Sequence, residues 1–118
     1  MKLKYFSDFE FVCDDEYCIN KMSPILLKKL DHARSLAEVP FNITSSWRSE
    51  EKNKAVGGAS NSSHLRGNAV DIACNSSTKR HSIIKALLSV GFTRIGIANT
   101  FIHADVDEDL PQNVIWIY

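Results

Sequence analysis

Two histidines and one aspartate in this sequence have the chemistry and the spacing that a metal site requires. His64 and Asp71 lie in the segment NSSHLRGNAVDIAC, residues 61–74, and His103 lies in FIHADVD, residues 101–107. Zinc is bound at about 2 Å, so its ligand atoms must approach one another to about 3–4 Å. Over the seven residues from His64 to Asp71, a continuous helix would span about 10 Å and a continuous strand more than about 20 Å. The chain must therefore turn between them.

Gly67 and Asn68 are the residues that allow this turn, because glycine and asparagine adopt left-handed backbone geometry at little cost. The segment AVDIAC that follows alternates apolar and polar residues, which predicts a strand with Asp71 on its open face. The apolar residues of this strand, which are expected to face the core, are Val70, Ile72 and Cys74.

FIHADVD predicts a second strand, whose polar face presents His103 in the same way. Two histidines and one carboxylate leave the fourth position of tetrahedral zinc open to water, which is typical of catalytic rather than structural sites. Water acidified by zinc towards neutral pH is a hydrolytic nucleophile. A histidine and an aspartate at this spacing more often form an ordinary polar contact, and it is His103 on an alternating strand that favours the metal site.

Three helices are predicted along the chain. Residues 22–39 predict a helix in which Ser23 caps the N-terminus and Pro24 takes the first position. Residues 49–56 predict a short helix capped by Ser49, and residues 78–90 predict a third helix that ends at Gly91. The residues expected to face the core are Leu26, Leu27, Leu30, Ala33 and Leu36 in the first helix and Ile83, Ile84, Leu87 and Leu88 in the third.

Strands are predicted over residues 41–47, 69–74, 94–98, 101–107 and 113–118, with a turn at residues 111–113 between the last two. The closing run of strands predicts a meander and favours a small α+β domain with one mostly antiparallel sheet flanked by helices. With 118 residues, the chain is expected to form a single domain over residues 1–118.

The composition limits the classes of partner. The 14 basic and 14 acidic residues give a formal charge of zero, which argues against nucleic-acid binding because such proteins carry a basic excess. No apolar run approaches the length of a membrane helix, about 20 residues, so no membrane insertion is expected. The start, MKLKYFSDFEF, has no apolar segment after its lysines, so no signal peptide is predicted. We expect a monomer. Asp107 and Asp109 lie in an acidic turn and are expected to be solvated.

The three cysteines leave at least one without a partner. Cys13 and Cys18 could form a small disulfide or half of a metal site, but no second Cys or His pair lies at a matching spacing. Unpaired structural thiols are therefore the favoured interpretation. Cys74 is expected to be a small core residue.

Three segments of the chain resemble the M15 zinc D-Ala-D-Ala peptidases. SSHLRGNAVDI is similar to the family signature S-x-H-x-x-G-x-A-x-D, and FIHADVD is similar to the closing H-x-D strand. SSWRSEEKNKAVGGASNSSH resembles SGYRSPEHNxxVGG, which precedes the first zinc histidine in the family. The resemblance covers residues 22–118 and is closest to short single-domain members encoded by phages and prophages. It implies a fold like that of hedgehog domains and D-Ala-D-Ala peptidases.

The resemblance also implies roles for individual residues. His64, Asp71 and His103 match the three ligands of one zinc ion. Ser62 matches a serine that helps to hold the substrate peptide in some members of the family. Arg48 matches an arginine that points at the scissile carbonyl or at a substrate carboxylate, and a guanidinium can stabilise either group.

Each substrate-binding assignment has a structural alternative. Arg48 could form an ion pair with Glu50 or Glu51 on the surface, and the hydroxyl of Ser62 could cap a turn. Trp47, next to Arg48, is a candidate for the substrate groove, although a tryptophan in the core is at least as common.

The sequence departs from the family at the general base. Family members carry an acidic residue three positions before the last histidine or a histidine two positions before it, whereas this chain has Thr100 and Phe101. Asp105 lies on the same face as His103, about 6–7 Å further along the strand. It could act as the catalytic base or could orient a histidine ring, and the second role is slightly favoured.

The resemblance implies a zinc metallopeptidase that hydrolyses bonds next to D-amino acids in peptidoglycan stem peptides, as a carboxypeptidase or an endopeptidase. A phage- or prophage-encoded lysin, made in the bacterial cytoplasm and acting on the cell wall, fits the small size and the lack of a predicted signal peptide. The alternative is a zinc-binding module with weak catalysis that binds the cell wall or a protein partner, which Thr100 favours. A metal-free structural protein is the least favoured reading.

Overall fold

The computed structural model describes residues 2–118, which form one five-stranded sheet, one two-stranded sheet and three α-helices. The helices are α1 (Pro24–Ala37), α2 (Glu50–Ala55) and α3 (Ser77–Ser89). The strands are β1 (Val12–Cys13), β2 (Glu16–Tyr17), β3 (Ile43–Ser45), β4 (Ala69–Ala73), β5 (Arg94–Ile97), β6 (Phe101–Asp105) and β7 (Val114–Ile117). This arrangement confirms the predicted α+β class.

The five-stranded sheet has the strand order β3-β4-β6-β5-β7, and its pairs are antiparallel except for β5 and β7, which are parallel. The predicted meander is therefore wrong at its last step, because β7 does not pair with β6. Residues 106–113 carry the chain past the end of β5 instead. Two contacts hold this crossing: the Val114 N–H donates to the Thr93 carbonyl at 3.0 Å, and Arg94 donates to the Pro111 carbonyl at 2.6 Å.

Helix α1 begins where the sequence predicts. The hydroxyl of Ser23 accepts a hydrogen bond from the Leu26 N–H at 3.4 Å, and Pro24 occupies the first position. Its buried stripe ends at Ala37 rather than at Leu36, which is half exposed. The correction follows from the helical repeat, since a residue four positions after Ala33 continues the stripe.

Helix α3 packs against α1, and both helices cover one face of the five-stranded sheet. Ile83 and Leu87 are buried as predicted, but Ala86 completes the buried stripe and Leu88 is half exposed. Gly91 ends the helix region with a φ of 93°, a left-handed backbone angle that glycine adopts without strain.

The alternation predicted for the two central strands is confirmed. Val70 and Ile72 of β4 and Ile102 and Ala104 of β6 are fully buried against the helices. Cys74, which is unpaired, is buried just beyond β4 as expected. The opposite face of the same two strands carries the polar residues of the candidate site.

The structure corrects the favoured interpretation of the first two cysteines, because Cys13 and Cys18 form a disulfide. Cys13 ends β1 and Cys18 follows β2 in an antiparallel hairpin whose turn residues, Asp14 and Asp15, have left-handed φ angles of 49° and 63°. This tight two-residue turn pairs Cys13 with Glu16 and leaves Cys18 two positions further along, with its Cα 6.1 Å from that of Cys13. Within residues 2–118, no helix has the length and apolar content needed to cross a bilayer.

Candidate metal centre

The structure brings together His64, Asp71 and His103, the three predicted metal ligands. Asp71 and His103 are direct partners in the pairing of β4 with β6, so their side chains leave the sheet side by side. His64 lies on a 3-10 turn, Ser63–Arg66, which the sequence did not predict. Gly67 follows with a φ of 70° and returns the chain into β4. A Cβ at this position would lie 2.0 Å from the Lys21 carbonyl oxygen, so only glycine fits.

The ligand atoms of these residues have the separations that zinc requires. His64 Nε2 lies 3.4 Å from Asp71 Oδ1, and His103 Nδ1 lies 3.1 Å from the same oxygen. One donor atom from each residue lies within 4.8 Å of the others, and all three residues are buried. Two imidazole nitrogens and one carboxylate oxygen are a common donor set for zinc in proteins. The residues therefore fit a zinc ion.

The two histidines present different ring nitrogens to the centre. His64 Nδ1 lies 2.7 Å from the Ser46 carbonyl oxygen, which can only accept, so Nδ1 carries the proton and Nε2 faces Asp71. His103 is reversed: Nε2 lies 2.6 Å from Asp105 Oδ2, and Nδ1 faces Asp71. Hydrogen bonds to the outer nitrogen fix the orientation of metal-binding histidines in this way.

The surroundings of Asp71 lower its pKa and keep its side chain ionised, which is the form that binds a metal. Burial alone would raise the pKa of Asp71, but hydrogen bonds from His103 and His64 lower it to about 2. Burial would in turn lower the pKa of His103, but its bonds to Asp105 and Asp71 raise it above the usual value. In the metal-free protein Asp71 is therefore an anion, and a metal must displace a proton from His103 at low pH.

Asp105 has both of its carboxylate oxygens engaged. Oδ2 accepts from His103, while Oδ1 accepts from Arg94 Nε at 2.7 Å and from the Asp107 N–H at 3.1 Å. The side chain is fully buried. Both oxygens of Asp105 are thus engaged by groups of the protein itself, and Oδ2 faces the ring of His103. Sequence reasoning did not single out Arg94, although its alternation with Ile95 at the start of β5 placed it on the polar face.

The expectation that Asp107 is solvated is wrong. Its side chain is 1% exposed, and Oδ2 accepts from Ser63 Oγ at 2.9 Å and from Arg66. Burial would raise the pKa of Asp107, but the bonds from Arg66 and Ser63 hold it below its usual value. Asp107 therefore ties the end of β6 to the turn that carries His64. The signal was present in the sequence, because Asp107 continues the alternating face of His103 and Asp105.

Arg48 lies at the edge of the centre, with Nη2 3.5 Å from Asp71 Oδ2. This ion pair takes the place of the surface pair with a neighbouring glutamate that the sequence left open. Ser45 Oγ and Asn53 Oδ1 accept from Arg48 at 3.2 and 3.3 Å and fix the guanidinium. A Cβ at position 58 would lie 2.1 Å from Asn53 Oδ1, so Gly58 allows this close packing.

A cleft of about 650 Å³ opens over the centre. One side is the glycine-containing loop 56–62, and the other carries Phe101, Trp116 and Tyr118. Ser62 lines the cleft, and its hydroxyl also accepts from the His64 N–H at 3.2 Å, so the predicted turn cap is present. Trp47 lies outside this cleft, with its ring 3.9 Å from Lys21 Nζ.

The aromatic side of the cleft depends on Gly96. A Cβ at this position of β5 would lie 2.6 Å from Trp116 Nε1 and 2.8 Å from Tyr118 Cε2. Both rings can therefore fold across β5 towards β6, where Trp116 lies 5.3 Å from the His103 ring between ring centres.

The positions where the family carries its base hold no ionisable group. The Thr100 carbonyl accepts from the Cys74 N–H at 2.8 Å, and the Phe101 ring packs 5.1 Å from the Tyr118 ring. Among the described residues that line the cleft, the acidic ones are Asp71 and Asp105. Both face His103 rather than open solvent.

Comparison with known proteins agrees with this geometry. No curated protein matches the chain. The model of the family described as Peptidase M15 matches residues 4–105, which include all three candidate ligands and Arg48. Since the match covers most of the 118 residues, the chain belongs to the peptidase M15 family, whose members are metallopeptidases.

Proposed function

We propose that the protein is a zinc metallopeptidase that hydrolyses bonds next to D-amino acids in the stem peptides of bacterial peptidoglycan. The observation that carries the proposal is the convergence of His64, Asp71 and His103 at zinc-like separations beneath an open cleft. Membership of the M15 family supports peptide hydrolysis. The choice of peptidoglycan rests on the resemblance of the segments around Arg48, His64 and His103 to the D-Ala-D-Ala peptidases.

His64 Nε2, Asp71 Oδ1 and His103 Nδ1 would hold the metal. Zinc in a site with three protein ligands supplies Lewis acidity and makes water nucleophilic near neutral pH. The protein contributes the orientation of these ligands, since Ser46 and Asp105 accept from the outer nitrogens of the two rings. No ring rotation is needed before binding, so little ordering free energy is lost.

Arg48 is the candidate for stabilising negative charge on the substrate. Its guanidinium lines the cleft next to Asp71 and is fixed by Ser45 and Asn53. A fixed cation in a partly buried position stabilises a developing oxyanion or a terminal carboxylate more than a mobile surface cation does. The same residue therefore serves carboxypeptidase and endopeptidase substrates.

The two sides of the cleft would hold the peptide. Ser62 and the loop 56–62 offer a hydroxyl and backbone groups on one side, and Trp116 and Tyr118 offer apolar surface on the other. A cleft with polar and apolar walls suits a short peptide of alternating amide groups and aliphatic side chains. Trp47 has no part in this arrangement, since it lies outside the cleft.

Asp105 serves this function by orienting His103 rather than by removing a proton from water. Both of its oxygens accept hydrogen bonds, from His103 on one side and from Arg94 and the Asp107 N–H on the other. A general base needs a free oxygen within hydrogen-bond reach of the water.

A second candidate function is a zinc-binding module with little catalysis, which binds the cell wall or a protein partner. Thr100 and Phe101 favour it, because neither side chain can accept a proton near neutral pH. The engaged oxygens of Asp105 favour it for the same reason.

Digestion of purified peptidoglycan by the zinc-loaded protein tests the proposal, with mass spectrometry of the released fragments. The expected result is a defined set of stem-peptide fragments that disappears with His64→Ala and when the metal is chelated. His81→Ala, an exposed histidine on α3, is the matched control and should digest normally. A folded protein that binds zinc and binds peptidoglycan but releases nothing would support the binding module instead.

A further inference from the structure

We propose that Arg94 is a positioning residue of the metal centre, which acts on His103 through the carboxylate of Asp105. The inference rests on the proposed zinc-binding function. Arg94 begins β5 directly opposite Asp105 in the pairing with β6, so the two side chains meet on the polar face of the sheet. The guanidinium forms its ion pair with Asp105 and not with Asp71, so its effect on the centre passes through the Asp105 carboxylate.

The geometry of Asp105 explains why Arg94 matters. The two oxygens of a carboxylate are rigidly related, so fixing one of them fixes the direction of the other. Arg94 Nε donates to Oδ1 at 2.7 Å, and His103 Nε2 lies 2.6 Å from Oδ2. Arg94 thus prevents the carboxylate from rotating about its side-chain bond. The ring of His103 keeps the orientation that presents Nδ1 to the metal position.

Arg94 is itself held on two further sides. Nη1 donates to the Pro111 carbonyl at 2.6 Å, and the guanidinium carbon lies 5.0 Å from the centre of the Trp116 ring. The residue is 8% exposed. Since Trp116 also lies against the His103 ring, Arg94 and Trp116 restrict the same histidine from two directions. A buried arginine with these contacts behaves as part of the scaffold.

A competing role is direct contact with substrate, because Arg94 borders the cleft. The two roles predict different losses. A substrate contact would raise KM and leave zinc affinity unchanged. A positioning residue would weaken zinc binding and disturb the His103 ring in the absence of any substrate.

The test uses Arg94→Gln, Arg94→Lys and the control Arg80→Gln. Arg80 donates to the Asn99 carbonyl in the turn between β5 and β6, so its removal perturbs the same hairpin away from His103. Zinc affinity is measured by competition with a chromophoric chelator. We expect Arg94→Gln to weaken it by about 10- to 100-fold, as for other residues that support a metal ligand. Arg94→Lys should recover part of this loss, and Arg80→Gln should match the wild type.

A second measurement reads the ring of His103 directly. Proton–nitrogen correlation spectra of the metal-free proteins, recorded above the pKa of His103, show which ring nitrogen carries the proton. We expect the His103 signals to shift or broaden in Arg94→Gln, while those of His64 stay in place. Thermal unfolding confirms that each variant is folded, and Arg94→Lys carries the test if Arg94→Gln is not.

Two outcomes would overturn the proposal: unchanged zinc affinity with an unchanged His103 ring, or an effect confined to KM. Failure of the proposed function looks different. If the wild type bound no zinc but Arg94→Gln still shifted or broadened the His103 signals, Arg94 would position His103 but the proposed zinc site would be wrong.

Discussion

The two histidines of the candidate metal centre are held by different kinds of partner. His64 donates from Nδ1 to the main-chain carbonyl of Ser46 at 2.7 Å, whereas His103 donates from Nε2 to the side chain of Asp105 at 2.6 Å. A carbonyl oxygen is neutral and survives any substitution of its side chain. A buried carboxylate is charged and needs compensation, which Arg94 supplies. The His103 half of the centre therefore depends on more side chains than the His64 half.

The two halves are nevertheless joined. The Asp107 N–H donates to Asp105, and the Asp107 side chain accepts from Ser63 and Arg66 on either side of His64. A short run of strand thus connects the support of one histidine with the turn that carries the other. We therefore expect the loss of either histidine to weaken zinc binding equally. Loss of the side chains that support the two histidines should weaken it unequally.

Loss of a ligand should have the largest effect and should be the same for both halves. His64→Ala and His103→Ala each remove one of three protein donors, and we expect zinc affinity to fall by at least about 1000-fold, or about 4 kcal/mol. Equilibrium dialysis with zinc analysis measures this, with His81→Ala as the control. Zinc retained at wild-type affinity by either variant would show that the metal lies elsewhere.

Loss of the Asp105 carboxylate and loss of the Asp107 carboxylate should have different effects on zinc affinity. In Asp105→Asn the amide cannot replace both accepting oxygens, so we expect zinc affinity to fall by about 10-fold or more. In Asp107→Asn the Ser46 carbonyl still orients His64. That variant should lose about 1–3 kcal/mol of stability from the buried bonds to Ser63 and Arg66 but little zinc affinity.

Chelator competition and thermal unfolding of the two variants measure these effects together. The proposed difference between the two supports is wrong if Asp107→Asn weakens zinc binding as much as Asp105→Asn does, because Asp105 and Asp107 would then hold both histidines together. The proposed difference is also wrong if neither variant changes zinc affinity, since the orientation of the histidine rings would then not affect zinc binding.

The raised pKa of His103 predicts how metal binding depends on pH. Asp105 and Asp71 stabilise the protonated ring despite its burial, so the pKa of His103 is raised above the ordinary histidine value in the metal-free protein. The pKa of Asp71 is about 2, so this carboxylate is ionised throughout the working range. Zinc must therefore displace a proton from His103 and not from Asp71. Affinity should fall by up to about tenfold for each pH unit below the pKa of His103.

Titration calorimetry in buffers with different protonation enthalpies counts the protons released on binding. We expect zinc binding to release one or more protons below the pKa of His103 and fewer protons above it. In Asp105→Asn, the loss of a neighbouring anion should move the onset of release to lower pH. Binding that releases no proton at any pH would contradict the raised pKa.

The sequence predicted that the three candidate ligands lie close together because their positions follow from local rules. Alternation in β4 and β6 placed Asp71 and His103 on one polar face, and the need for a turn at Gly67 placed His64 near them. Helix α1 was predicted from its cap, but the helix ends at Ala37 rather than at residue 39, and the last residue of the buried stripe is Ala37 rather than Leu36.

Asp105 lies only two positions from His103 and was predicted as a support, but the other supports could not be predicted in this way because they join residues that are distant in the chain. The bond from Ser63 to Asp107 spans 44 positions and depends on how β6 ends. The pairing of β5 with β7 depends on the crossing at residues 106–113, where the sequence shows only a turn. The disulfide of Cys13 and Cys18 could not be inferred from the cysteine count alone, because it depends on how the chain turns between them.

The smallest expected effect is the sharpest test of the difference between the two histidines. Ser46→Ala removes a hydroxyl that lies 3.4 Å from the sulfur of Cys18, but it leaves in place the carbonyl that accepts from His64. Zinc affinity should therefore stay within about twofold of the wild type, in contrast to Asp105→Asn, because a main-chain support does not depend on side-chain identity. Chelator competition on the two variants side by side measures the contrast. A loss in Ser46→Ala as large as that in Asp105→Asn would mean that β3 moves when its contact with the disulfide is lost, and that the support of His64 depends on side-chain packing after all.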